Sequence, residues 1–294
     1  MSGSLLIVGY GDIGQRVANL AVEAGGTVTA LVRSVEKAAA LSAQGINAIL
    51  GDLDDSATPV PALPSSGTTI LYTAPPPGGG EYDTRLRVFL GSIEPGNEPA
   101  AIVYLSTTGV YGDQQGAIVN EATPTKAETS RARRRLDAEN LLHSWGENRG
   151  VKIIILRIAG IYGANRLPLN RIREGVPVLR SEESPFSNRI HADDLARLCL
   201  AAAAKGVDGE IINICDGETS TMTDYFNAVA DVFALPRPPQ VTKEEAKERM
   251  PPLLLSYFSE SRRLDNRRMR ERLAIPLLYP DLASGLAACQ KEYV

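Results

Sequence analysis

The sequence predicts an α/β fold: a doubly wound parallel sheet with a smaller C-terminal lobe. Three observations predict it. Short apolar runs alternate with helix-like stretches up to about residue 214. The first of these runs breaks directly into glycines at Gly9, Gly11 and Gly14. From about Asp216 the rhythm gives way to helices and turns rich in proline, with Pro236, Pro238, Pro239, Pro251 and Pro252. Alternation of strand and helix is the signature of a parallel sheet covered by helices.

Taken in order, the strands are Leu5 to Val8, Thr27 to Val32, Asn47 to Leu50, Thr69 to Thr73, Ala101 to Leu105, Val151 to Leu156 and Ile211 to Ile214. Several are apolar without alternation, as in Ile153-Ile154-Ile155-Leu156, which suits strands buried on both faces. The first helix is amphipathic, with Val17, Ala18, Leu20 and Ala21 inward and Gln15, Arg16 and Glu23 outward. Further helices are expected over Glu36–Gln44, Glu81–Ile93, Lys126–Trp145 and Asp193–Ala204. The run from Pro75 to Gly80, PPPGGG, cannot be helix or central strand and reads as a mobile loop over the crevice at the strand ends. The expected division is 1–160 with 186–215 for the sheet domain, and 161–185 with 216–294 for the smaller lobe on the substrate side.

The glycines carry the first functional reading. In a strand–turn–helix setting the first glycine makes the tight turn, the second admits a pyrophosphate close to backbone, and the third lets helix pack on sheet. The helix start offers free amides and the positive end of its dipole to an anion. Gly9, Gly11, Asp12, Ile13 and Gly14 are therefore candidate cofactor-binding residues of a Rossmann dinucleotide site. The second strand ends at Arg33 and Ser34, about where NAD-preferring folds carry an acid for the ribose hydroxyls. A guanidinium there suits the 2′-phosphate of NADP, so NADP is expected over NAD.

Composition bounds the alternatives. The chain has 294 residues, enough for a large core, and a net charge of −4 that gives no global basic surface for nucleic acid or anionic membrane. No apolar run reaches the roughly 18 residues of a membrane-spanning helix, and Leu5 to Val8 is too short for a signal core. Cys199, Cys215 and Cys289 are odd in number and lack CxxC spacing, so buried thiols in a reducing cytoplasm are expected, not a disulfide frame or zinc site. With only His143 and His191, no metal site is expected.

After the fifth strand comes Ser106-Thr107-Thr108-Gly109-Val110-Tyr111-Gly112. With Gly51-Asp52-Leu53-Asp54, Arg157 to Gly163 (RIAGIYG), Asn188 to Asp194 (NRIHADD) and Asn213-Ile214, it resembles the extended short-chain dehydrogenase/reductase family. That family contains the sugar-nucleotide epimerases and dehydratases, and the resemblance runs from about Leu5 to Gly285. It implies that Thr107 bonds the substrate oxygen undergoing hydride chemistry, beside Ser106. It also implies that Asp52, with Leu53, meets the adenine and that Thr73 and Ala74 line the cofactor. A homodimer through the helices holding Arg131 and Asp194 is the family-level expectation.

The chain departs from the family at the catalytic helix. Aligning the acid of the family pattern on Glu139 puts Arg135 where lysine is expected and Arg131 where tyrosine is expected. Arginine keeps its proton at ordinary pH and accepts nothing, so Arg131 cannot replace the tyrosine's acid–base work. Arg135 can still bond a ribose. Four apart, the two share a helix face and form either an anion clamp or a solvated surface. Tyr111 and Tyr162 are candidates for a relocated proton donor. Asp193 and Asp194 read as caps of a helix start, His191 as a hydrogen-bonded core or rim residue, and Ser261 to Arg272 as an exposed helix with one or two functional arginines within reach of an anionic substrate.

Two functions follow from these residues. One is an NADP-dependent oxidoreductase or epimerase-like enzyme acting on a small anionic metabolite or nucleotide sugar, with Thr107, Tyr111, Arg131 and Arg135 as candidate catalytic residues. The other is a non-catalytic NADP(H)-binding sensor, which the missing tyrosine and lysine favour, whereas the Thr107 turn and the substrate-side lobe favour the enzyme. One scaffold hosts both.

Overall fold

The computed structural model describes residues 3–55 and 60–293. Seven parallel strands form the central sheet: β1 (Ser4–Val8), β2 (Thr27–Val32), β3 (Asn47–Leu50), β4 (Thr69–Tyr72), β5 (Ala101–Thr107), β6 (Lys152–Ile158) and β7 (Glu210–Ile214). Their spatial order is β7-β6-β5-β4-β1-β2-β3. The order reverses between β1 and β4, where Val8 lies beside Tyr72, and such a reversal opens a crevice at the carboxyl ends of the strands. The chain therefore has the doubly wound α/β fold that its sequence predicts.

Successive strand residues face opposite sides and build two cores. Leu5 and Ile7 pack with α1 (Asp12–Glu23) and α5 (Ala192–Lys205), through Val17, Ala18, Ala21, Leu195 and Cys199. Leu6 and Val8 pack on the other face with α3 (Thr84–Gly91) and α4 (Ser130–Arg149), through Leu86, Phe89, Ala138 and Leu142. On the first face α2 (Val35–Ser42) joins through Leu41. Of the expected inward residues of α1, Leu20 is only partly buried.

Capping sets the helix boundaries, and here the structure corrects the expected spans. The Asp83 carboxylate accepts from Leu86 N, so α3 starts at Thr84, not Glu81. Lys126 N donates to Val110 O, which holds the segment extended until Thr129 caps Ala132 N and α4 begins. Gly150, with φ of 66°, ends α4 in the left-handed conformation. Before α5 the cap is neither expected aspartate: His191 Nδ1 accepts from Asp193 N at 3.2 Å. Asp194 instead accepts from Leu278 N and Tyr279 N, and Asp193 pairs with Arg16.

A third core belongs to the smaller lobe. Tyr162, Leu169, Ile172, Tyr225, Phe226, Val229 and Leu286 are buried together there. The run from Ser261 to Arg272 is not one exposed helix. Arg263–Leu264 forms a short strand beside Ile118–Val119, and only Arg267–Leu273 is helical. That helix sends Met269 and Leu273 into the core shared with Leu198 and Ile212, so it packs on the sheet domain. The three cysteines are buried and free, and among the described residues no helix is long and apolar enough to cross a membrane.

Candidate functional site

A cavity of about 1150 Å³ runs along the carboxyl ends of β1 to β6. Its floor is the glycine turn. Thr73 N and Ala74 N donate to Val8 O at 2.8 and 3.0 Å, and the Thr73 hydroxyl donates to Gly9 O. These bonds leave no room for a side chain at Gly9, whose φ is +102° and whose Cβ would lie 2.4 Å from Ala74 N. A Cβ at Gly14 would meet Gly9 O at 2.6 Å. At Gly11 it would meet nothing within 4 Å, because that position faces the open crevice. Gly11 caps α1 without a side-chain bond, so the first-turn amides of the helix remain for a ligand. The turn fits a dinucleotide's diphosphate on these grounds.

All the sequence-derived cofactor residues line this cavity: the turn from Gly9 to Gly14, Arg33 and Ser34, Asp52 and Leu53, Thr73 and Ala74, and Ser106. Arg33 is exposed. Ser34 Oγ accepts from Lys37 N, and Lys37 Nζ donates to Tyr10 O at 2.7 Å; Arg33, Ser34 and Lys37 all line the crevice just after β2. Asp52 Oδ1 accepts from Asp54 N, and Asp54 is held by Arg85 through paired bonds of 2.7 and 2.6 Å. Those bonds from Arg85 hold the Asp54 carboxyl below its usual range. The Pro75–Gly80 run is neither helix nor strand, as its prolines and glycines predict, and Pro75 to Gly78 line the crevice. It is tied at both ends, Pro75 O accepting from Arg85 and Gly80 O from Arg134.

Asp12, the first residue of α1, puts a carboxylate at the helix start. Burial pushes its pKa up, but bonds from Arg166 Nε at 2.6 Å and Arg16 Nε at 2.9 Å outweigh that and hold it below the ordinary value.

Thr107 lies at the end of β5 with its Oγ1 accepting from Gly109 N at 3.2 Å. It lines both this crevice and a second cavity of about 470 Å³. Arg131 also lines both cavities, and Arg135 lines the first. Arg135 donates to Tyr104 OH and Leu105 O. Arg131 stacks on the Tyr257 ring at 4.6 Å and donates to its hydroxyl at 2.9 Å.

Tyr111 and Tyr162 line neither cavity. Tyr111 is fully buried, donates to Asn213 Oδ1 at 2.8 Å and lies under the Arg157 guanidinium; burial raises its phenol pKa. Tyr162 is likewise buried, edge-on to His191. Glu139, aligned with the family acid, is buried between Ser106 Oγ at 2.5 Å and Arg157. It fastens α4 to β5 and β6.

Sequence reasoning missed the residues that arrive from a distance. Tyr257 stands 126 positions from Arg131. Arg166 and Arg189 sit inside motifs or turns whose direction only the fold reveals. Five arginines line the second cavity, Arg131, Arg166, Arg171, Arg189 and Arg262, against one carboxylate, Glu260, which Arg262 holds at 2.8 Å. Arg189 is the most enclosed. Its guanidinium lies 3.6 Å from the Tyr225 ring centre, Nη2 donates to Ser187 Oγ, and Nε is buried without a partner among the described residues. Burial pushes its pKa below the usual arginine value.

A family model for the NAD dependent epimerase/dehydratase family matches residues 94–215, and one for the TrkA-N domain matches residues 5–59. Protein YeeZ of Escherichia coli (strain K12) is 34% identical over 141 residues, 47% of this chain and 48% of that protein, so the chain matches about half of that relative's length. The structure of a functionally unknown conserved protein from Silicibacter pomeroyi DSS is 28% identical, covers 99% of both chains and gives a TM-score of 0.80. The UDP-glucuronic acid 4-epimerase of Bacillus cereus, in complex with UDP-glucuronic acid and NAD, gives 0.73 at 18% identity over 98% of each chain. At that identity the likeness is one of fold.

Proposed function

We propose that this chain, whose residues 94–215 match the model of the NAD dependent epimerase/dehydratase family, is an NADP(H)-dependent oxidoreductase of that kind acting on a small anionic metabolite such as a nucleotide sugar. The observation that carries this reading is the position of Thr107 on the wall common to a glycine-floored crevice and an arginine-lined cavity. A nicotinamide dinucleotide supplies reversible hydride transfer. The chain's own residues do the rest. The glycine turn and α1 hold the diphosphate, the Thr107 hydroxyl donates to the substrate oxygen, and Arg189 with Arg262 and Arg171 neutralises substrate charge. The proton donor is the Tyr257 phenol or a water, since Tyr111 is enclosed and already bonded to Asn213. The Arg131 guanidinium stabilises the negative charge that develops on a phenol oxygen as its proton leaves.

The test is a screen of nucleotide sugars, aldehydes and hydroxy acids that follows the near-ultraviolet absorbance of reduced nicotinamide. At least one nucleotide sugar is expected to change it, and Thr107→Ala is expected to slow that reaction on the order of 10²-fold with cofactor affinity retained. Turnover untouched by Thr107→Ala would remove Thr107 from the chemistry. No turnover of any compound, with cofactor still bound, would favour the sensor reading, which the engagement of Arg135 with Tyr104 and Leu105 also supports.

Preference for NADP rests on this chain's Arg33, Ser34 and Lys37, since the dinucleotide named with the Bacillus cereus epimerase is NAD. NADPH is expected to bind more tightly than NADH, on the order of tenfold or more for charge-assisted bonds to the 2′-phosphate. Arg33→Asp should invert the order in titration calorimetry, because a carboxylate repels the phosphate and bonds ribose hydroxyls. Equal affinities in the unmodified protein would reduce Arg33 to a surface residue.

A further inference from the structure

We propose that Arg166 is a clasp on the dinucleotide's diphosphate, aimed by Asp12 and reaching it from the start of the smaller lobe. The inference rests on the dinucleotide reading of the crevice. Arg166 ends the short turn Ala164–Arg166, which follows the strand Gly160–Tyr162 at the start of the lobe. It bonds to the first residue of α1, and it lines both cavities. Only its Nε is engaged, with Asp12 Oδ2 at 2.6 Å. Among the described residues its two terminal amino groups have no protein partner, so the flat edge between them is available to two phosphate oxygens. A guanidinium pinned at one nitrogen loses little freedom when the opposite edge takes a phosphate in paired bonds.

Charge makes the same point. At the start of α1, Asp12 and Asp193 face Arg16 and Arg166, two carboxylates against two guanidiniums. The helix start attracts anions, yet Asp12 alone would repel a diphosphate there. Arg166 offsets Asp12 and presents the remaining donors to the ligand. A contact that served only to tie lobe to helix would need no open donor edge within the crevice.

The experiment is titration calorimetry of the full-length chain with NADPH and, separately, with adenosine 2′-monophosphate, which lacks the diphosphate, alongside thermal unfolding of each variant. Arg166→Gln is expected to weaken NADPH binding on the order of tenfold to a hundredfold and to leave adenosine 2′-monophosphate unchanged. Arg166→Lys, which keeps the charge but loses the fork, should fall between. Adding Asp12→Asn to Arg166→Gln should recover part of the loss, because the uncompensated carboxylate is then gone. An Arg166→Gln protein that binds NADPH as the unmodified chain does overturns the clasp, whatever its thermal midpoint. Equal loss for both probes overturns it too, since the effect would not then belong to the diphosphate. If the unmodified chain binds no dinucleotide, the cofactor reading itself fails and takes the clasp with it.

Discussion

Gly11→Phe is expected to abolish dinucleotide binding in titration calorimetry while thermal unfolding stays where it is in the unmodified protein. Gly9→Val is expected to lose both. Only two residues apart in one turn, the glycines differ in what surrounds them. A side chain at Gly11 meets no protein atom within 4 Å and projects into the volume the diphosphate needs. A side chain at Gly9 must displace Ala74 backbone at 2.4 Å and accept a left-handed φ of +102°. Backbone cannot swing aside as a flexible side chain can, and a valine resists that φ. Retained affinity in Gly11→Phe would move the ligand away from this turn. A well-folded Gly9→Val would mean the strand ends are looser than their hydrogen bonds imply.

The second large effect is on stability. Glu139→Ala should lower the thermal midpoint by roughly 10 °C, on the basis of about 3–5 kcal/mol for breaking a buried ion pair and a few degrees per kcal/mol in a chain of this size. The Glu139 and Arg157 side chains are 2% and 5% exposed and 2.7 Å apart. Removing the carboxylate leaves a guanidinium enclosed over the Tyr111 ring and takes the acceptor from Ser106 Oγ. Glu139→Gln, which still accepts from Ser106, should lose less. Because α4 carries Arg131 and Arg135 and Ser106 adjoins Thr107, the same substitution should also loosen the junction of the two cavities. An unchanged midpoint in calorimetric unfolding would show that Arg157 finds other partners.

What could be read from the sequence was local. The glycine turn, the strand rhythm and the apolar faces of α1 each depend on neighbours a few residues away, and pattern alone carries them. Helix starts needed more. Whether Asp83, Thr129 or His191 caps its helix depends on a side-chain torsion and on where the preceding amides go, as with Lys126 and Val110. The site divides the same way. Thr107 and Arg33 follow from strands whose ends are legible, whereas Tyr257, Arg166 and Arg189 converge from the lobe through contacts that no spacing encodes. The basic run from Ser261 to Arg272 misled because charge density reads as a solvated helix. Arg267, Arg268, Arg270 and Arg272 do stand exposed on a helix, whereas Arg262 and Arg263 precede it and donate to Gly112 O and Gly116 O.

The return of Arg263–Leu273 to the sheet domain bears on how such proteins can recombine. The chain leaves the lobe, pairs with Ile118–Val119, seats Met269 and Leu273 beside Leu198 and Ile212, and re-enters the lobe at Leu282–Lys291. Two halves stitched in this way cannot be exchanged by a single crossover. A chimera that takes a relative's C-terminal part after residue 215 imports foreign side chains into one core of the sheet domain and into that of the lobe at once. To transplant specificity, segment 263–273 has to travel with the nucleotide half, and the lobe has to be swapped as separate blocks around it.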